Sequence, residues 1–215
     1  MEASADDLEF AGGMFSVSGS PDQAMPIQAI AFGAFTAHDL PDGMEPNLQE
    51  QVTFDPTNFV FPFGTHVCAV EIDEDTGAVE LLSYVAVDDC GNQINPMIVE
   101  GQLHGGIVQG VAQALFEEAC YDEDGNLTNP SMMDYLVPSA ADVPSMVTDY
   151  TVTPSTSNPL GVKGAGEAGT ISSAAAVMNA VVDALSPYGV KDMDMPATPQ
   201  RVWRTIHEAK NGGAA

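Results

Sequence analysis

The sequence predicts an α+β fold, with mixed sheets and packed helices. Two observations carry that reading. Residues 66–73 and 78–87 are rich in β-branched and apolar side chains and flank Asp73-Glu-Asp-Thr-Gly77, the composition of a tight turn, so they form a hairpin. Residues 97–120 and a segment ending near Leu185 repeat their apolar residues at helical spacing.

The elements follow in order. Gly12 and Gly13 precede a strand-like stretch at 14–17, and Pro21 and Asp22 mark a turn. The apolar run 27–35 fits a short helix, and Pro41, Asp42, Gly43 and Pro46 make a loop. Nothing in these first 51 residues has a catalytic pattern. After the hairpin, residues 88–96 read as a loop, 97–120 as a helix, and 121–126 as a polar turn. The acids at 73–75 and 122–124 lack the glycine and terminal glutamate positions of a calcium loop, so both are turns. Residues 146–153 read as a strand and 155–169 as a long loop. Ser172 or Ser173 then caps a helix running to about Leu185, apolar on nearly every side and so expected to be buried. The whole is expected to be one region, with residues 1–60 peripheral and 61–215 the core.

Composition bounds the partners. The chain of 215 residues has 31 acidic and 5 basic side chains, a net charge of −26. All five cations, Lys163, Lys191, Arg201, Arg204 and Lys210, lie in the last quarter. A cationic footprint for nucleic acid is missing, and an anionic membrane surface would repel the chain. Such an excess of acid suits high salt, where the Debye length shrinks to roughly 3 Å at 1 M. Cys68, Cys90 and Cys120 form no CxxC pair, which argues against an iron–sulfur cluster or a structural zinc site. The four histidines have no metal-ligand spacing. There is no secretory signal pattern and no run of 18 apolar residues, so a cytoplasmic location without membrane insertion is expected.

Two segments could carry chemistry. In Glu100-Gly-Gln-Leu-His-Gly-Gly-Ile-Val-Gln-Gly110, helical spacing places Gln102, Gln109 and Gln113 within about 40° of one another. Leu103, Ile107, Val111 and Leu115 take the opposite side, with His104 toward that apolar side. Gly101, Gly105, Gly106 and Gly110 each weaken a helix by up to about 1 kcal/mol relative to alanine. Four of them imply a close approach to the backbone, either by another helix or by a bulky cofactor. The second segment is Asn158-Pro-Leu-Gly-Val-Lys-Gly-Ala-Gly-Glu-Ala-Gly169, a glycine loop entering a helix. Its glycines formally match GxGxxG, but no buried strand precedes them, so a dinucleotide fingerprint is not met. Glu167 is either a surface acid or a carboxylate held by rigid backbone as a general base.

With Asp89-Cys-Gly-Asn-Gln-Ile-Asn-Pro96 placed before them, these segments resemble the molybdenum hydroxylases. That family contains xanthine dehydrogenase, aldehyde oxidase and aerobic carbon monoxide dehydrogenase. The likeness is to the C-terminal part of the large, molybdopterin-binding subunit. His104-Gly-Gly106 and Met133-Asp-Tyr-Leu136 are most similar to the carbon monoxide dehydrogenase branch.

The resemblance implies a molybdenum–molybdopterin cytosine dinucleotide cofactor, with copper added if the enzyme is of the carbon monoxide type. It implies that Glu167 is the active-site base for water-derived hydroxylation or carbon monoxide oxidation. Gln102, Gly105, Gly106, Lys163, Gly164, Ala165 and Gly166 would bind the cofactor, with no protein ligand to molybdenum. It further implies the rest of the large subunit, an iron–sulfur subunit and a flavin subunit as partners, and a small-molecule substrate. The branch's copper-binding cysteine loop is not in this sequence. The chain reads as a fragment of a larger subunit, inactive alone; the alternative is a non-catalytic acidic assembly module or remnant.

Overall fold

The structure, a computed structural model, describes residues 3–212. The chain divides into two compact units, Met1–Asp55 and Pro56–Ala215.

The first unit is an antiparallel meander followed by a helix. Strands β1 (Leu8–Ala11), β2 (Met14–Val17) and β3 (Ser20–Pro26) pair in sequence order. Gly12 and Gly13 both sit at positive φ, 58° and 80°, between paired Ala11 and Met14. That is the geometry of a two-residue turn whose twist matches its strands. Helix α1 (Ile27–Thr36) follows, as its apolar run predicts.

The second unit holds the predicted hairpin. Strands β4 (Phe63–Ile72) and β5 (Val79–Asp89) are antiparallel, with a register irregularity at Ala69/Val70. The turn forms as composition predicts: the Asp73 carboxylate accepts from the Asp75 and Thr76 N–H groups at 2.8 and 3.2 Å. Helix α2 (Pro96–Leu115) crosses back to β6 (Met146–Thr151), which lies parallel to β5. Helices α3 (Ala168–Leu185) and α4 (Pro199–Lys210) complete the unit. The core gathers Leu81, Tyr84 and Ala86 of β5, Ile107, Val111 and Leu115 of α2, Val177, Val181 and Leu185 of α3, and Val202 and Ile206 of α4.

Several boundaries differ from the sequence reading, each for a physical reason. Asp88 and Asp89 belong to β5 rather than to a loop, because both carboxylates are paired inside the fold. Helix α2 stops at Leu115, five residues before the expected end. Beyond it, Asn129 ties down the chain, accepting from Cys120 N–H at 2.8 Å and donating to Glu118 O at 2.5 Å. Helix α3 begins at Ala168, so neither Ser172 nor Ser173 caps it; Ser173 is buried within the helix, its hydroxyl donating to Thr170 O at 3.3 Å. Nor is α3 buried on all sides. Gly169, Ser173, Val177, Val181 and Leu185, four residues apart, form its buried stripe, while Ile171 is 65% exposed. By length and composition the segment Ala168–Tyr188 could cross a membrane, with a mean hydropathy of 1.3, which the sequence reading did not foresee. In this fold that stripe packs on α2 and the core.

Candidate cofactor-binding site

The site is built where α2 meets the start of α3. Asn95 caps α2, its side chain accepting from Ile98 N–H at 3.3 Å, and Pro96 occupies the first turn where no N–H is needed. The helix then sorts its faces as the spacing predicts. Leu103, Ile107, Val111 and Leu115 are buried; Gln102, Gln109 and Gln113 are exposed. His104 is half-buried and satisfied, with Nε2 3.3 Å from Thr148 Oγ1.

The four glycines divide into two jobs. A Cβ at Gly106 would lie 2.9 Å from Thr170 N and 3.1 Å from Gly169 Cα, and one at Gly110 would strike Ser173 Oγ. These two let α3 approach α2. Gly169 answers from the other side, where a Cβ would press on Leu103 O and on Ile107 N. At Gly101 and Gly105 a Cβ would meet nothing within 4 Å. The open backbone of Gly101 and Gly105 thus lies along the carboxamide stripe, while Gly106 is buried in the helix contact.

The glycine loop arrives at this contact. Glu167 stands at the N-terminus of α3, exposed, and its side chain does not cap the helix. Thr170, in the first turn, donates to Gly106 O at 2.8 Å and lies 3.1 Å from Gln109 Oε1. The fold therefore brings the carboxamide stripe and the glycine loop together through one hydroxyl. The positive end of the α3 dipole lies beside Glu167 and favours anionic oxygens there.

Lys163 does not face Glu167. Its Nζ pairs with Asp89 Oδ1 at 3.0 Å and sits 4.6 Å from the centre of the Phe63 ring. Burial alone would oppose the charge on Asp89. Hydrogen bonds from Gly91 N–H, Lys163, Thr153 and Thr151 outweigh it and hold the carboxyl well below its usual range. One residue earlier, Asp88 Oδ2 lies 3.0 Å from His66 Nε2, whose Nδ1 lies 2.8 Å from the Tyr84 hydroxyl. Burial, with Cys68 and Asp88 nearby, pushes that hydroxyl above its usual range.

Sequence reasoning quoted Asp89 and Asn158 within its motifs but gave neither a role, and it missed Thr170. Asn158 clamps the loop, donating to Val162 O at 2.9 Å and accepting from Val162 N–H at 3.1 Å. The available signal was Asp88-Asp89 at the end of an apolar strand, in a chain with one cation within reach of the loop. Among the described residues no three His, Cys, Asp or Glu side chains are grouped to hold a metal ion.

Comparison with known proteins decides the family. The molybdopterin cofactor-binding domain family matches residues 1–144. The chain belongs to this family. The matched span includes the carboxamide stripe of this molybdopterin-binding domain and ends before the glycine loop. Over 208 residues the chain is 41% identical to the carbon monoxide dehydrogenase large chain of Hydrogenophaga pseudoflava, covering 97% of this chain and 26% of that one. Among solved structures it is similar to quinoline 2-oxidoreductase from Pseudomonas putida 86, with TM-score 0.88 and 42% identity over 96% of this chain and 26% of that one. It is similar also to the Cu,Mo-CO dehydrogenase in its carbon monoxide reduced state, with TM-score 0.87 and 37% identity over 97% and 26%. The chain spans about a quarter of the length of these relatives. The α+β fold with mixed sheets and packed helices is that of these molybdopterin-binding regions.

Proposed function

We propose that this chain is the C-terminal molybdopterin-binding part of a molybdenum hydroxylase large subunit, and that Glu167 is the active-site base. The observation that supports it is that α3, with an exposed carboxylate at its mouth, is joined through Thr170 to Gln109 of an exposed carboxamide stripe beside open glycine backbone. The residues present fit a pterin. Its flat ring needs open backbone, as at Gly101 and Gly105, and its edge alternates donors and acceptors, which a carboxamide matches with one of each.

In this reading Gln102 binds the pterin edge, Gly105 lies against the cofactor, and the backbone of Gly164, Ala165 and Gly166 lines the same site. Gly106 and Lys163 serve it from behind, through the helix contact and the Asp89 pair. The cofactor, taken here as the cytosine dinucleotide form, supplies a two-electron redox centre. Glu167 takes a proton, at a carboxylate oxygen, from the water-derived nucleophile. A base must lie within about 2.6–3.2 Å of that proton, so the loop must fix the carboxylate in space. The α3 dipole steadies anionic oxygen beside it.

The remainder of the large subunit, an iron–sulfur subunit and a flavin subunit complete the proposed enzyme, which acts in the cytoplasm on a small molecule. If it is of the copper type, neither Cys68 nor Cys90 offers copper an open thiol, and Cys120 is the exposed cysteine of this chain. Cys90 is buried, Cys68 donates its Sγ hydrogen to Ala176 O at 3.3 Å, and burial pushes both thiols up.

The test is Glu167→Gln in the assembled enzyme. Molybdenum content should be unchanged, and turnover should fall by at least about 10²-fold. Near-normal turnover at normal molybdenum content would leave Glu167 a loop residue.

A further inference from the structure

The glycine loop is fixed at two ends and only lightly held between them. At one end Gly169 is pressed against Leu103 and Ile107 of α2. In the middle, a Cβ at Gly166 would meet nothing within 4 Å, and one at Gly164 only Val60 O at 3.8 Å. Between the ends, residues 164–166 are held lightly: Ala165 is half-buried, and the Gly164 N–H donates to Val60 O at 3.4 Å. The other end is Lys163, four residues before Glu167, whose side chain is held by Asp89.

Asp89 has no solvent exposure. Its carboxylate draws three separate segments together. Oδ1 accepts from Gly91 N–H at 3.0 Å and from Lys163 Nζ at 3.0 Å, and Oδ2 accepts from the Thr151 hydroxyl at 3.0 Å. The neighbouring backbone reinforces the join. Lys163 N–H donates to Cys90 O at 2.8 Å, Asn92 N–H donates to Gly161 O at 3.0 Å, and Gly91 and Val162 form an isolated bridge. The Lys163 ammonium nitrogen also lies over the Phe63 ring, 4.6 Å from its centre, so it is held from two sides. A buried ion pair adds little net stability against an apolar pair of equal volume. What it supplies is direction: a carboxylate with its acceptors taken by fixed donors locates the ammonium and the backbone behind it.

We propose that Asp89 is a positioning residue for Glu167, acting through Lys163 to fix the entry of the glycine loop. The proposal rests on the reading of Glu167 as the base. Its prediction about the loop can be measured without turnover.

The experiment compares Asp89→Asn, Lys163→Met and the double variant in the assembled, molybdenum-loaded enzyme. Each single change leaves one buried partner unmatched and should lower the melting temperature; the double change should recover most of that loss. In the double variant, the amides of residues 163 and 164 should exchange hydrogen at least about tenfold faster than in wild type. Amides of residues 177–185 should stay within about twofold. Turnover should fall by about 10²-fold at unchanged KM and molybdenum content, the size expected for a misplacement near 1 Å. A merely structural pair would recover stability, loop exchange and turnover together in the double variant, and that result overturns the proposal. Wild-type turnover alongside fast loop exchange overturns it as well. Glu167→Gln separates the two claims: it should lose turnover with loop exchange unchanged. Normal turnover there sinks the base reading, and accelerated exchange at residues 163 and 164 there sinks the anchor.

Discussion

Gly105 and Gly106 are adjacent in one helix, and replacing each by alanine should move stability in opposite directions. Both changes remove a helix-interior glycine, which favours the helix by about 1 kcal/mol. At Gly105 nothing opposes that gain, because the new methyl meets no atom within 4 Å. At Gly106 the methyl would lie 2.9 Å from Thr170 N, 3.1 Å from Gly169 Cα and 3.2 Å from Gly169 C, all of them backbone. Backbone cannot rotate aside, so α2 and α3 must part. Overpacking of this kind costs about 1–3 kcal/mol, and its upper end applies where the neighbour is a helix backbone. The net change is then a loss of about 2 kcal/mol for Gly106→Ala against a gain of about 1 kcal/mol for Gly105→Ala. At about 2–4 °C per kcal/mol for a chain this size, the melting temperatures should separate by roughly 6–12 °C. Thermal unfolding of the two variants beside wild type measures this. Shifts of the same sign in both would refute the division of the glycines. In the proposed holoenzyme Gly105→Ala should also lose molybdenum while gaining stability, because the added methyl occupies the open side.

Three further outcomes follow. Gln102→Ala should lower molybdenum content with little change in melting temperature, and unchanged molybdenum would remove Gln102 from the cofactor's contacts. Molar salt should raise the melting temperature well beyond the shift of a near-neutral protein, since the net charge is −26; a flat response would show the acids already balanced. The Asp89 carboxyl is held below its unfolded value, so the stability it contributes is fully present above about pH 4 and is lost as pH falls through its own lower value. Asp89→Asn should therefore flatten the loss of stability below about pH 4, and parallel acid unfolding of variant and wild type would refute that assignment.

Periodicity made the helix faces legible. The positions of Gln102, Gln109 and Gln113 opposite Leu103, Ile107, Val111 and Leu115 follow from 100° per residue, and the fold keeps them. The hairpin was legible because Asp73 and Gly77 are turn chemistry between β-rich runs. Which glycines carry a helix contact was not legible, since Gly105 and Gly106 are the same residue in the same helix and differ only in what lies opposite. The start of α3 was misplaced for a related reason. Ser172 and Ser173 have the chemistry of caps, but Gly169 must already be helical to meet Leu103 and Ile107, so the contact with α2 sets the first turn. The amphipathic helix α4 drew no attention in the sequence because its buried residues, Val202 and Ile206, make a single narrow row.

Asp88 and Asp89 show why a site can hide in an acidic chain. Among 31 acids, two adjacent aspartates read as the start of a polar loop. Adjacent positions on a strand face opposite sides, yet both carboxylates here are buried, because β5 ends with partners waiting on each side. Asp88 turns to His66 across the antiparallel pair with β4, and Asp89 turns to Thr151 of the parallel neighbour β6 and to Lys163 beyond it. None of the three partners is close in sequence; they lie 22, 62 and 74 residues away. A charge can be buried only with such partners. The sequence did hold one usable constraint: the first cation in 162 residues without one stands four positions before Glu167. A lone lysine in so acidic a chain has many carboxylates to choose from on the surface. Its pairing with a fully buried one is a choice that only tertiary structure makes, and it places the one cation of the glycine loop where it can hold the loop's entry.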